Sequence, residues 1–298
     1  MKFHINYTSR NYFLIFILAL SILVLSACSN EENNDTESID RPIIAVSIEP
    51  QKTFVEAVVG DDYEIIVLIP PGNSPSNYEP TPQEIQKFND AIVYFSIGVP
   101  TEDSNINDLA KENESLKMIP LHEIVSTVYP DVEIAPGQRD SHIWLSPKRV
   151  MVMINAIAQT MGELNQEALA QYNENANAYM EQLKDLDAEI ISTLKTLENR
   201  KFIAFHPAFG YLADDYDMQM YSLEENGKEA TPQRIREMID FAKAENIKAV
   251  FYQAEISSKQ AESFADEIGA KMVLLDPLSG DYIANLRKMI QLMVEGLK

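Results

Sequence analysis

Cysteine and basic residues are both scarce in this chain, and each scarcity narrows what the protein can be. The chain has 24 Lys and Arg against 46 Asp and Glu, which gives a formal net charge of −22 at pH 7. That balance makes nucleic acid a poor partner, because phosphate binding needs a basic surface. The one cysteine, Cys28, excludes both an intramolecular disulfide and a cysteine-rich zinc site. The 298 residues are 46% hydrophobic and 23% charged, enough for two globular domains.

The first residues resemble an export signal. A basic start precedes an apolar run, Tyr12 to Ala27, that is too short to span a membrane comfortably. The run ends in Leu25-Ser-Ala-Cys28, which resembles a bacterial lipobox, in which the cysteine receives lipid and becomes the new N-terminus. We therefore expect residues 1–27 to be a signal peptide and Cys28 to be lipidated. An uncleaved signal anchor is the alternative.

The stretch after Cys28 predicts a tether. Residues 28–41 are rich in Asn, Glu, Asp and Ser, a composition that cannot bury a core. A lipid anchor followed by a flexible tether would hold the folded part against a membrane, facing the extracytoplasmic side.

The rest of the chain alternates short apolar runs with helical patterns. Continuous runs such as Ala91 to Ile97 and Ala249 to Gln253 are typical of parallel strands that are covered on both faces. Their alternation with helices predicts an α/β fold. We expect two α/β lobes with mainly parallel sheets, residues 42–165 and 200–298.

Between the lobes the sequence predicts one long helix. From Glu167 to about Leu197 there is no Gly or Pro, and apolar residues recur every three or four positions. We assign residues 166–199 to a helix that joins the lobes. A coiled-coil dimer is the competing interpretation, but a helix flanked by α/β segments favours packing against its own lobes and a monomer.

Three side chains stand out as candidate metal ligands. His142 lies between a loop and a helix start, while His206 and Asp276 each follow a predicted strand. Ligands gather at the carboxyl ends of the strands in open α/β sheets, so these residues could converge in the cleft between the lobes. Imidazole and carboxylate suit a cation such as Zn²⁺. Capping and packing roles for the histidines, and a simple turn at Asp276, are the alternatives.

Five segments together resemble the zinc/manganese substrate-binding lipoproteins of bacterial ABC transporters. They occur in that family's order and span nearly all of residues 42–298. The segments are Ile69-Pro-Pro-Gly72 followed by Tyr78-Glu-Pro-Thr-Pro82, His142-Ile-Trp-Leu-Ser-Pro147, Phe205-His-Pro-Ala-Phe209, Ser257-Ser-Lys259 and Leu274-Leu-Asp-Pro-Leu278.

The resemblance implies a fold, a function and ligands. It implies two lobes around a rigid linking helix and one ion in the cleft, zinc first and manganese second. It implies that the first lobe contributes His142 as a ligand and that the second lobe contributes His206 and Asp276. It also implies release of the ion to a membrane permease driven by an ATPase, so the chain would not be an enzyme.

The first-lobe loop departs from the family pattern. Where the family commonly has histidine after proline, this chain has Ser76 in Pro75-Ser-Asn-Tyr-Glu79. The fourth ligand is therefore open. Asn77 could offer its carbonyl oxygen to a harder ion, and Ser76, Glu79 or water are the other choices.

Three other functions compete with a bare-ion receptor. A receptor for a larger ligand, such as a metal chelate, gains from the small Ser76 side chain. A zinc hydrolase would need a general base, for which Glu79, Glu224 or Glu255 could serve, but the chain has no His-Glu-x-x-His motif. A purely adhesive surface lipoprotein is the third.

Overall fold

The computed structural model describes residues 41–224, 228–255 and 259–298. The predicted signal peptide, Cys28 and the predicted tether up to residue 40 lie outside the described residues, as does Ser257. None of the helices in the described ranges combines the length and hydrophobicity that crossing a membrane requires.

The first lobe is built on a four-stranded parallel sheet. Its strands are β1 (Ile43–Val46), β2 (Glu64–Val67), β3 (Ala91–Ser96) and β4 (Lys117–Pro120), in the order β2-β1-β3-β4. All the pairings are parallel. Strand β3 is nearly all buried, as expected for an apolar run covered on both faces.

Five helices, two short helical turns and a small hairpin complete this lobe. The helices are α1 (Glu49–Val59), α2 (Pro82–Asn89), α3 (Asn107–Glu112), α4 (Leu121–Ser126) and α5 (Pro147–Leu164). A π-helical turn covers Glu102–Ile106, and a 3₁₀ turn covers Ile143–Leu145. The antiparallel hairpin pairs β5 (Glu133–Ala135) with β6 (Gln138–Arg139).

The long helix α6 (Leu169–Leu194) follows α5 and has 26 residues, about 39 Å at 1.5 Å per residue. Its buried residues recur at helical spacing along one face. They are Tyr172, Ala176, Leu183, Leu186, Ile190 and Leu194. The helix packs against α1 and α5 of the first lobe and against the last helix of the second. The long helix therefore contacts both lobes.

The second lobe repeats the architecture. Its strands are β7 (Lys201–Ala204), β8 (Gln219–Ser222), β9 (Ala249–Gln253) and β10 (Lys271–Leu275), all parallel in the order β10-β9-β7-β8. Its helices are α7 (Gly210–Asp215), α8 (Pro232–Ala244), α9 (Lys259–Ile268) and α10 (Tyr282–Leu297). Thr231 is the N-cap of α8 and accepts a hydrogen bond from the Arg234 amide at 3.2 Å.

One hydrophobic cluster runs through both lobes and the long helix. Polar contacts reinforce it at the junction: the Trp144 indole donates to the Pro277 carbonyl at 2.8 Å, and the Tyr282 hydroxyl donates to the Trp144 carbonyl at 2.7 Å. The Arg149 guanidinium pairs with Asp215 across the lobes, and both side chains are almost fully buried. The predicted fold class, two parallel α/β lobes joined by a long helix, is confirmed.

Candidate metal site

His142 is oriented by a carboxylate in its own loop. Asp140 lies two residues earlier, just after β6, and its Oδ1 accepts the His142 backbone N–H at 2.9 Å. The same oxygen is 2.7 Å from His142 Nδ1. Because an ionised carboxylate only accepts hydrogen bonds, this contact places the imidazole proton on Nδ1. The lone pair then lies on Nε2, the arrangement found in metal-binding histidines.

His206 has the same arrangement with a partner from a neighbouring strand. It follows β7, and its Nδ1 is 2.6 Å from Oε2 of Glu224, which follows β8. The strands bring them together: Ala204 pairs with Ser222, and the Glu224 amide donates to the Phe205 carbonyl at 3.0 Å. His206 therefore also keeps Nε2 free.

The two imidazoles meet across the lobes. Their ring centroids are 5.2 Å apart and the rings are inclined at 75°. They share a cavity of about 10 Å³, room for one water-sized sphere. Its lining consists of Ser74, Pro75, Ser76, His142, Trp144, His206, Gln253, Glu255, Pro277 and Leu278. A single small ion fits this volume.

A wider cleft of about 340 Å³ adjoins the small cavity. Both histidines and Ser76 line it, together with Asn77 and Arg139. Ser76 therefore faces both spaces, whereas Asn77 belongs to the wider cleft. Glu79 is exposed and is not part of either lining.

The loop that carries Ser76 is fastened to the start of the π-helical turn. The Thr101 amide donates to the Pro75 carbonyl at 3.0 Å, and its hydroxyl accepts the Tyr78 amide at 3.1 Å. Next to it, the buried Glu102 carboxylate accepts the amides of Ile97 and Gly98 at 2.8 and 2.7 Å. Burial raises the pKa of Glu102 and outweighs these hydrogen bonds, which lower it. The hydrogen bonds of its neighbours Pro75 and Tyr78 to Thr101 thus hold the backbone around Ser76 in place.

Asp276 lies at the edge of the site. Its side chain is exposed, and Oδ1 accepts the Leu278 amide of its own turn at 3.1 Å. Within the described residues, no three His, Cys, Asp or Glu side chains are grouped so that they could hold a metal ion. Binding through the two histidines and a carboxylate therefore requires a carboxylate to move closer. The role of Asp276 as a ligand stays a prediction.

Glu255 is a carboxylate that motif spacing did not mark as a ligand. It comes two residues after β9 and lines the small cavity with the histidines. Its Oε2 is buried and has no hydrogen-bond partner among the described residues. Burial raises the pKa of Glu255, and the nearby charge of Asp276 raises it further.

A model of the family described as zinc-uptake complex component A, periplasmic, matches residues 44–296. The chain belongs to this family. The family resemblance seen in the motifs is thereby confirmed, and the chain stands among the solute-binding components of metal uptake systems, which are not enzymes as a family.

Individual relatives agree with this assignment. The high-affinity zinc uptake system protein ZnuA of Bacillus subtilis (strain 168) is 27% identical over 289 residues, which cover 89% of this chain and 88% of that protein. Zinc-binding protein AdcA of Streptococcus pyogenes serotype M1 is 26% identical over 283 residues, or 83% of this chain, and the chain spans 54% of that longer protein. A crystal structure of ZnuA superposes with a TM-score of 0.82 at 35% identity, covering 87% of this chain and all of the other.

Proposed function

We propose that this chain is the extracytoplasmic receptor of a metal importer and that it captures one divalent cation between its lobes. Zinc is the favoured ion and manganese the second. The lipid on Cys28 holds the receptor at the membrane as a monomer, and the ion passes to a permease driven by an ATPase. The zinc-uptake names of the family and of its relatives support this proposal.

One observation carries the proposal. Two imidazoles from different lobes face each other across an ion-sized cavity, and in each one Nδ1 is held by a carboxylate. Neutral imidazole held in this way is a favoured ligand of Zn²⁺. His142 and His206 would bind through Nε2, and Asp276 is the carboxylate that the family resemblance assigns.

Elemental analysis of the purified protein tests the proposal directly. We expect about one equivalent of zinc or manganese in the wild type. The variants His142→Ala and His206→Ala should each lose the ion. Their loss of metal affinity should exceed the roughly 10- to 100-fold loss that follows mutation of a residue that only supports a metal ligand. His122→Ala is the matched control, because His122 is outside the linings of both cavities. Equal affinities in His206→Ala and His122→Ala would contradict the site.

A receptor for a metal chelate is the second candidate, and the wider cleft of about 340 Å³ favours it. A small organic ligand of the ion could occupy that space beside Ser76. Native mass spectrometry after gentle purification separates the two: the bare-ion receptor carries only the mass of the metal.

A further inference from the structure

The corner of the cavity where the family places a histidine has a weak donor in this chain. Ser76 lines that corner, and a serine hydroxyl is a poor ligand for zinc. Asn77 lines only the wider cleft, and Glu79 lines neither space. The first-lobe loop therefore supplies no strong ligand to accompany the two imidazoles.

The same small cavity contains an unused strong donor on the second lobe. Glu255 lines this cavity, and its Oε2 is buried and has no hydrogen-bond partner in the described part of the chain. The described lining residues include no lysine or arginine, so no cation offsets the charge there. A buried carboxylate oxygen without a partner is costly, and a metal ion is one of the few partners that removes the cost.

We propose that Glu255 is a metal ligand and that it compensates for Ser76. The proposal rests on the function proposed above, because it needs His142 and His206 to hold the ion. Once Glu255 and Asp276 have moved closer to the imidazoles than they lie in this structure, the site would offer two nitrogen and two oxygen donors, enough for four-coordinate zinc. Replacing an imidazole by a carboxylate also makes the donor set harder, so the preference for zinc over manganese should be narrower than in a site with three histidines.

Competition titration of zinc against a chromophoric chelator tests the assignment. We expect Glu255→Gln, which keeps the shape of the side chain but removes its charge, to lower zinc affinity by about 100-fold or more, at or above the upper end of outer-shell effects. Glu262→Gln is the control: Glu262 is an exposed glutamate on α9 in the same lobe and should leave affinity unchanged. The melting temperature of metal-free Glu255→Gln should be at least as high as that of the metal-free wild type, because the substitution removes a buried charge. The melting temperature of metal-free Glu262→Gln should match that of the wild type.

Two further measurements separate ligation from a structural role. The visible d–d spectrum of Co²⁺ bound in place of zinc should change in Glu255→Gln, because the donor set changes. Introducing Ser76→His into the Glu255→Gln protein should restore most of the lost affinity and widen the preference for zinc over manganese.

The outcomes are distinguishable. If Glu255→Gln binds zinc like the wild type with an unchanged Co²⁺ spectrum, while His206→Ala has lost the ion, the Glu255 assignment is wrong and the receptor function stands. If the wild type takes up neither zinc nor manganese, both proposals are overturned.

Discussion

His142 and His206 present the same nitrogen to the cleft, but their supporting carboxylates differ in reach along the chain. Asp140 lies 2 residues from its histidine and shares its loop, whereas Glu224 lies 18 residues from His206 at the end of another strand. The orientation of His142 is therefore built by local turn geometry. The orientation of His206 depends on the register between β7 and β8.

Asp140, the carboxylate that supports His142, is also more deeply buried than Glu224, the carboxylate that supports His206. Asp140 is fully buried, and a Cβ on Gly210 of the second lobe would lie only 2.2 Å from Asp140 Oδ2. Only glycine allows this approach of α7. The side chain of Glu224 is 10% exposed. The carboxylate that orients His142 is thus local in sequence but is held in place by the packing of the second lobe against it. The carboxylate that orients His206 depends on the sheet of its own lobe.

The largest expected effect on zinc affinity is that of pH, and it concerns the histidine ligands of both loops. Imidazole binds a metal only when it is neutral, so affinity should fall as pH falls through the range of histidine protonation. The logarithm of zinc affinity should therefore rise with pH across this range. Chelator competition between about pH 5 and about pH 8 measures this slope.

His122 is the control for that slope. Burial lowers its pKa, and the charge of Arg139 lowers it further, so His122 stays neutral to lower pH than an ordinary histidine. His122→Ala should therefore leave the slope unchanged. A zinc affinity that does not change with pH in the wild type would contradict binding through imidazole.

Removing the charge of either supporting carboxylate, Asp140 or Glu224, should have the next largest effect on zinc affinity. Asp140→Asn and Glu224→Gln should each lower zinc affinity by about 10- to 100-fold, since each loosens the orientation and basicity of its histidine. Asp140→Asn should also cost about 1–3 kcal/mol of unfolding free energy, because a fully buried acceptor of a backbone N–H is disturbed.

Urea unfolding of the metal-free proteins distinguishes the two supports. Glu224→Gln should cost clearly less stability than Asp140→Asn, since Glu224 binds mainly a side chain at the edge of the cleft. Equal losses of stability would remove the distinction between a packing-dependent and a sheet-dependent support.

The smallest effect should come from Ser222, which touches only the second support. Its hydroxyl donates to the Glu224 carbonyl at 2.9 Å. Ser222→Ala should cost about 1 kcal/mol of unfolding free energy, measured in urea, and weaken zinc binding slightly through Glu224. Ser192→Ala removes a similar serine-to-carbonyl bond on α6, of 2.9 Å to Glu189, and should not change zinc affinity. Equal zinc affinities in the two variants would mean that Ser222 does not help to hold Glu224.

The strands and the long helix are predictable from the sequence because their apolar residues form continuous runs or recur at regular helical spacing. The sequence predicts strands at 91–97 and 249–253, and the structure has β3 at Ala91–Ser96 and β9 at Ala249–Gln253. The long helix is shorter than predicted. Residues 166–199 were expected, but α6 covers Leu169–Leu194, because apolar spacing also continues into the turns at each end.

The supports of the site were less predictable. Asp140 stands two positions before His142, a spacing typical of a local Asp turn, but nothing in the sequence ranks it above the other acidic residues. Glu224 and Glu255 appeared only as possible bases of a hydrolase. The partnership of Glu224 with His206 and the free oxygen of Glu255 arise from strand pairing and burial, which spacing along the chain does not encode.

The hydrophobic cluster that runs through both lobes and α6 also determines how the chain responds to its ligand. Lobes that share a core are expected to melt as one cooperative unit rather than one after the other. By thermodynamic linkage, an ion bound between His142 and His206 then stabilises the whole folded body, including parts far from the cleft. Saturation with metal would therefore alter the lifetime of the receptor as well as its cargo.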